Sequence, residues 1–183
     1  MYLLVINTAK NCGACKRFKE LHYDKLLTAL KTKTNLTVLH IDLPTMEVTR
    51  YFDNLKNNDY FKIVQGQSVT VSPKIQKYIK WFPQFMLFPL ESFKLGNLSS
   101  GYIFNGTIDA KNDTAIMGGG GIALNAENIL EWITKTIVNN PVNVQPVSIN
   151  PTVFNNKKTD NNGLPTYLSP STYKFRMATS DSD

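Results

Sequence analysis

The chain has 183 residues, 42% of them hydrophobic, enough to bury the core of one domain and too little for two substantial ones. Twenty Lys and Arg against fourteen Asp and Glu give a formal charge of +6 and a pI near 9.2, which favours acidic partners over basic ones. The apolar stretch 81–90 is broken by Pro83 and Pro89, far short of the roughly 20 residues of a membrane helix, and no nucleic-acid recognition module accompanies the charge; neither a membrane span nor a nucleic-acid partner is expected.

Met1 runs into Tyr2-Leu3-Leu4-Val5-Ile6 without a cationic n-region, so this run reads as a buried strand and not as a signal peptide. Asn11 stands where a helix cap belongs, and Phe18, Leu21, Leu26, Leu27 and Leu30 recur at helical spacing, predicting a buried helical face over 15–30. After a polar break at 31–35, residues 36–43 read as a second strand ended by Pro44. Strand, helix, strand requires a crossover, which sets the two strands parallel in one sheet. His40 and Asp42 on the second strand are read as a solvated strand end, not as a catalytic pair. Thr45 caps a second predicted helix through residue 57, with Val48, Tyr51, Phe52 and Leu55 on one face.

Residues 59–80 are read as an insertion holding a short strand at 68–71 and an amphipathic turn or helix from Pro73. Residues 84–88 and 101–106 then form two strands, most simply an antiparallel pair, with Asn105-Gly106 as a turn signal at the far end. Tyr102, Phe104, Trp81 and Trp132 are assigned to the core or the sheet face. The glycine run 118–121 lacks the Lys-Ser or Lys-Thr of a phosphate loop and is expected to be a flexible connector. Asn125 caps a last helix through residue 138, burying Ile129, Leu130, Trp132, Ile133 and Ile137. From Asn139 onward, Pro141, Pro146, Pro151, Pro165 and Pro170 recur too often for a helix. This divides the chain into a folded domain at 1–138 and an extended or disordered tail at 139–183.

The candidate chemistry lies in Cys12-Gly13-Ala14-Cys15, the chain's only two cysteines. So close a pair cannot staple a secreted fold across long loops, and it suits a reducing, cytoplasmic compartment. A zinc site needs about four ligands. Only His22 and His40 remain to complete one, so no metal and no cofactor is expected. A thiolate at a helix N-terminus is stabilised by unpaired N–H groups and the helix dipole, and Lys10, Lys16 and Arg17 add positive charge. Cys12 is accordingly expected to attack and Cys15, one turn further in, to resolve. The plainer alternative keeps both as packed residues, or as an inert disulfide in a scaffold.

The order strand, CxxC helix, strand, helix, proline-led strand pair and final helix resembles the thioredoxin-like family over residues 2–138. The residues that carry the resemblance are Cys12-Gly13-Ala14-Cys15 after a strand and Phe82-Pro83-Gln84 before one. It implies an α/β fold with a mixed sheet of about four strands flanked by helices, an insertion before the proline, and thiol–disulfide exchange with protein thiols or disulfides as partners. It further implies a cis peptide before Pro83, with Phe82 and Pro83 presenting a backbone edge to substrate. Two positions depart from the family pattern: Asn11 replaces its Trp before the first cysteine, and Ala14 its Pro between them. The family's buried acid has no equivalent in Ile6-Asn7-Thr8. The alternative reading is a non-catalytic binding or structural protein that uses the same fold. Asn and Lys richness resembles proteins of AT-rich genomes, including large DNA viruses, which adds the virion as an alternative location.

Overall fold

Eight consecutive buried residues make β1 (Tyr2–Ala9) an interior strand of the sheet. A strand without an exposed face must be covered on both sides. The computed structural model, which describes residues 1–52, 58–119 and 121–142, covers it in that way. β2 (Leu36–Leu43) pairs parallel to β1, Thr8 opposite Asp42, and β4 (Gln84–Pro89) pairs antiparallel on its other edge, Asn7 opposite Gln84. The tail beyond residue 142 and the helix end predicted at 53–57 lie outside the described residues.

The fold is mixed α/β, but its sheet has seven strands and not four. β3 (Phe61–Gln65) pairs with β2, and β5 (Tyr102–Ile103), β6 (Gly106–Asp109) and β7 (Thr114–Met117) extend the sheet beyond β4, in the order β3-β2-β1-β4-β5-β6-β7. β5 falls within the strand predicted at 101–106; the three additional strands, β3, β6 and β7, are four or five residues long and mostly half-buried, so they lack the apolar run or clean alternation that marks a strand in sequence. The segment 59–80, read as an insertion, thus supplies one edge of the sheet, and no strand forms at 68–71. Residues 101–106 are two strands around a turn: Asn105 takes a positive φ of 56°, and Ile103 pairs back with Gly106.

The helix predicted over 15–30 forms as α1 (Gly13–Phe18), a π-helical turn at Lys19–Tyr23 and α2 (Asp24–Leu30). A π turn inserts one extra residue and rotates the helix beyond it. Leu21, expected to be buried, is consequently 68% exposed, while Phe18, Leu26 and Leu30 stay in the core. Beyond β2 lie α3 (Val48–Phe52), a 3-10 turn at Pro73–Tyr78 and α4 (Leu90–Lys94), and α5 (Ala126–Asn139) is capped by the Asn125 side chain, which accepts the Asn128 N–H at 2.8 Å.

Two hydrophobic layers result. One packs Leu3, Val5 and Ala9 with Leu39, Met86, Ile75 and both cysteines; the other packs Leu4 and Ile6 with Phe18, Phe85, Phe104 and Ile129. Trp81 and Trp132 are half-buried at the margins of these layers. Truncating Leu4, fully buried, to Ala costs about 2–5 kcal/mol by the usual transfer and cavity terms.

Candidate functional site

At the end of β1 the Lys10 N–H donates to the Leu43 carbonyl at 2.9 Å and the Cys12 N–H to Ala9 at 3.3 Å, which turns the chain into α1. Cys12 is the N-cap, with extended backbone (φ −101°, ψ 110°), and its Sγ accepts the Cys15 N–H at 3.1 Å. A sulfur thus takes the place of the usual capping oxygen, against one of the donors a helix start leaves free. Cys12 and Cys15 are joined as a disulfide, their Cα atoms 5.2 Å apart. Cys15 is sealed at 0% exposure, whereas Cys12 keeps 5%. Beside them Gly13 is exposed, with no atom within 4 Å of where a Cβ would stand, so that side of the pair is open to approach.

The structure brings Phe82 to the dithiol. The Phe82–Pro83 peptide is cis, and the Phe82 carbonyl oxygen lies 3.6 Å from Cys12 Sγ. Pro83 is buried, and Phe82 packs at the rim of the layer that holds both cysteines. Several contacts fix this segment. The buried Gln84 amide donates to the Tyr78 carbonyl at 2.7 Å and accepts the Lys80 N–H at 3.0 Å. The Tyr78 hydroxyl donates to Asp113, and Thr114 Oγ1 to the Lys77 carbonyl at 2.9 Å, tying the 3-10 turn to the β6–β7 hairpin. The Trp81 ring lies over Gly106, where a Cβ would stand only 2.7 Å from it. The 3-10 turn therefore serves to hold the Phe82 edge in place.

A second polar group was missed in the sequence. His40 and Asp42 are no solvated strand end, since positions i and i+2 of a strand share a face, and register sets Thr8 directly opposite Asp42. Thr8 Oγ1 donates to Asp42 Oδ1 at 2.6 Å, which leaves its lone pair to accept from His40 Nε2 at 2.7 Å. Nδ1 is then the unprotonated nitrogen and accepts the Tyr23 hydroxyl at 2.6 Å. Lys19 Nζ closes the chain on Asp42 at 2.7 Å. The π turn bounds this arrangement, with Lys19 at its start and Tyr23 at its end, both reaching β2. Burial, the largest influence, lowers the His40 pKa to about 4, with Lys19 and Lys62 pushing the same way and Asp42 opposing. Burial alone would raise Asp42, but hydrogen bonds from Lys19 and Thr8 outweigh it and hold the carboxyl below its ordinary value. Burial, aided by Asp42 and Asp24, raises Tyr23 to about 12.

On the opposite face of β1, in the layer of the cysteines, the side-chain amide of Asn7 is fully buried, and neither its nitrogen nor its oxygen has a partner among the described residues. Among those residues no helix is long and apolar enough to cross a membrane. Comparison of the chain with protein-family models, with curated proteins and with solved structures yields no match in any of the three.

Proposed function

We propose that this chain is a thioredoxin-like thiol–disulfide oxidoreductase acting on protein disulfides through Cys12 and Cys15. The observation that carries the reading is the placement of Cys12 Sγ: capping a helix, disulfide-bonded to Cys15, and 3.6 Å from the backbone carbonyl before Pro83. In the reduced protein the Cys15 N–H and the positive surroundings stabilise the Cys12 thiolate. That thiolate attacks a substrate S–S bond, forming a mixed disulfide and releasing one substrate sulfur as thiolate. Cys15, deprotonated in turn, attacks Cys12 Sγ; the internal disulfide forms and the second substrate sulfur leaves. Two electrons pass from protein to substrate, and an external dithiol restores the reduced form. Phe82 and Pro83 are assigned the substrate's backbone edge.

The competing reading, a thioredoxin-shaped binding or structural component with an inert bridge, is favoured by how little of the pair is exposed, 5% and 0%. One experiment separates them: titrating the dithiol in defined glutathione buffers, with Cys15→Ser tested in parallel for a trapped mixed disulfide. A reversible two-electron transition with a trapped partner supports exchange. The absence of both sinks it and leaves the structural reading.

A further inference from the structure

Against the turn that carries Cys12 lies a shallow cavity of about 240 Å³, lined by Ala9, Lys10, Lys16, Lys19 and Glu20. Its lining comes from both sides of the cysteine pair in sequence, Lys10 before it and Lys16 just after, and the Lys16 N–H donates to the Cys12 carbonyl at 3.0 Å. Lys10 and Lys16 are exposed, and Glu20 approaches Lys16 only to 4.0 Å, a solvent-screened contact. Lys19 differs from both. Its side chain is 29% exposed, and Asp42 holds its ammonium through the chain of hydrogen bonds that runs back to Thr8, His40 and Tyr23.

Asp42 offsets much of the Lys19 charge, so the free positive charge of the cavity comes mainly from Lys10 and Lys16. Lys19 contributes a fixed wall with hydrogen-bonding capacity left over, since an ammonium has three donors. Resting on the exchange reading above, we infer that this cavity is a subsite for side-chain carboxylates of an acidic segment flanking the reactive cysteine of the protein substrate. A carboxylate seated there meets the exposed ammonium groups of Lys10 and Lys16, which flank the cysteine pair in sequence and together outweigh the single Glu20 carboxylate of the lining. The molecule's charge of +6 draws such a segment in, and the cavity gives it a register.

The test uses full-length oxidised protein and a cysteine-free, fluorescent peptide rich in Asp and Glu, so that binding is read without turnover. Lys10→Gln/Lys16→Gln is compared with Lys31→Gln/Lys33→Gln, which removes the same charge beyond the C-terminal end of α2. The first pair is expected to weaken binding by about fivefold or more at low salt and the second by less than about twofold, with the difference shrinking at high ionic strength. Equal losses from the two pairs, or none, overturn the subsite. Disulfide-linked versions of the peptide, offered to the protein reduced beforehand so that Cys12 and Cys15 are free thiols, then report exchange: selective binding without exchange leaves the subsite standing and removes the oxidoreductase reading. Exchange without the Lys10 and Lys16 dependence does the reverse.

Discussion

The dithiol turn and the His40 network sit at the same end of β1, on opposite faces, and are built in opposite ways. The dithiol is local: Cys12 caps the helix that contains Cys15, and the decisive bond spans three residues. The network is assembled by register. It depends on Thr8 standing opposite Asp42 across a parallel ladder and on a π turn that brings Lys19 and Tyr23 to β2. A local device survives small shifts in the sheet, whereas a one-residue slip of β2 would turn His40 and Asp42 to the other face and abolish the network. The proposed exchange chemistry thus lies on the robust side of the strand, and the register-sensitive side serves to fix the helix and, through Lys19, one wall of the cavity that Lys10 and Lys16 also line.

The sharpest way to break this comparison is at the sulfur. Cys12→Ser should reduce disulfide exchange at least about 1,000-fold, because a hydroxyl is a far weaker nucleophile than a thiolate. Cys15→Ser should still form the first mixed disulfide and stall there, seen as a protein–substrate adduct by mass spectrometry. The network should be intact in both variants, so their urea midpoints measured reduced, against the reduced parent, should agree closely.

The next effect lies on the other face and is read with pH. The His40 pKa is lowered to about 4 from an ordinary value of 6.5, so between these limits the unfolded chain binds a proton that the folded chain refuses. Stability is therefore complete above pH 6.5 and falls as pH drops towards 4, by at most about 3 kcal/mol for a gap of this size. The depressed Asp42 acts in the same direction at lower pH: its contribution is present above its unfolded value and lost as pH falls through the folded one. The groups facing His40 are Tyr23, Asp42, Lys19 and Lys62. Urea midpoints at pH 7, 5.5 and 4.5 should trace the fall, and His40→Gln should flatten it; an unchanged slope in that variant would assign the pH dependence elsewhere. Smaller still is Tyr23→Phe, which leaves His40 Nδ1 without its donor and should cost about 1–2 kcal/mol at pH 7, measured by the same unfolding curves.

The sequence was legible where interactions are short in range. β1, β2 and β4 declare themselves by apolar runs, α5 by its Asn125 cap, and Cys12 and Cys15 by spacing. The Phe82–Pro83 edge was named through resemblance, and its approach to Cys12 joins residues 70 apart in the chain. The edge strands were not legible, because strands such as β7 bury only part of one face, and Ile116 and Met117 there remain 50% and 61% exposed. Leu21 was misplaced because one extra residue in the π turn cannot be seen in a period of 3.6. His40 and Asp42 were misread because their partner is Thr8, 32 and 34 residues away.

Asn7 gives the smallest effect and sharpens the comparison most, since it puts a polar group on the dithiol's face of β1 without the partners that its neighbour Thr8 has on the other. An amide buried at 0% exposure and unpaired among the described residues costs stability, whereas a valine, the apolar strand former nearer to it in volume, costs none of that desolvation. Asn7→Val should therefore raise the unfolding free energy of the oxidised protein by about 1 kcal/mol. A loss of stability instead would mean that the amide is paired in solution, and the two faces of β1 would then differ in which groups they satisfy and not in whether they do so. A gain would mark Asn7 as a polar residue retained at a cost to folding, on the face that holds the cysteines.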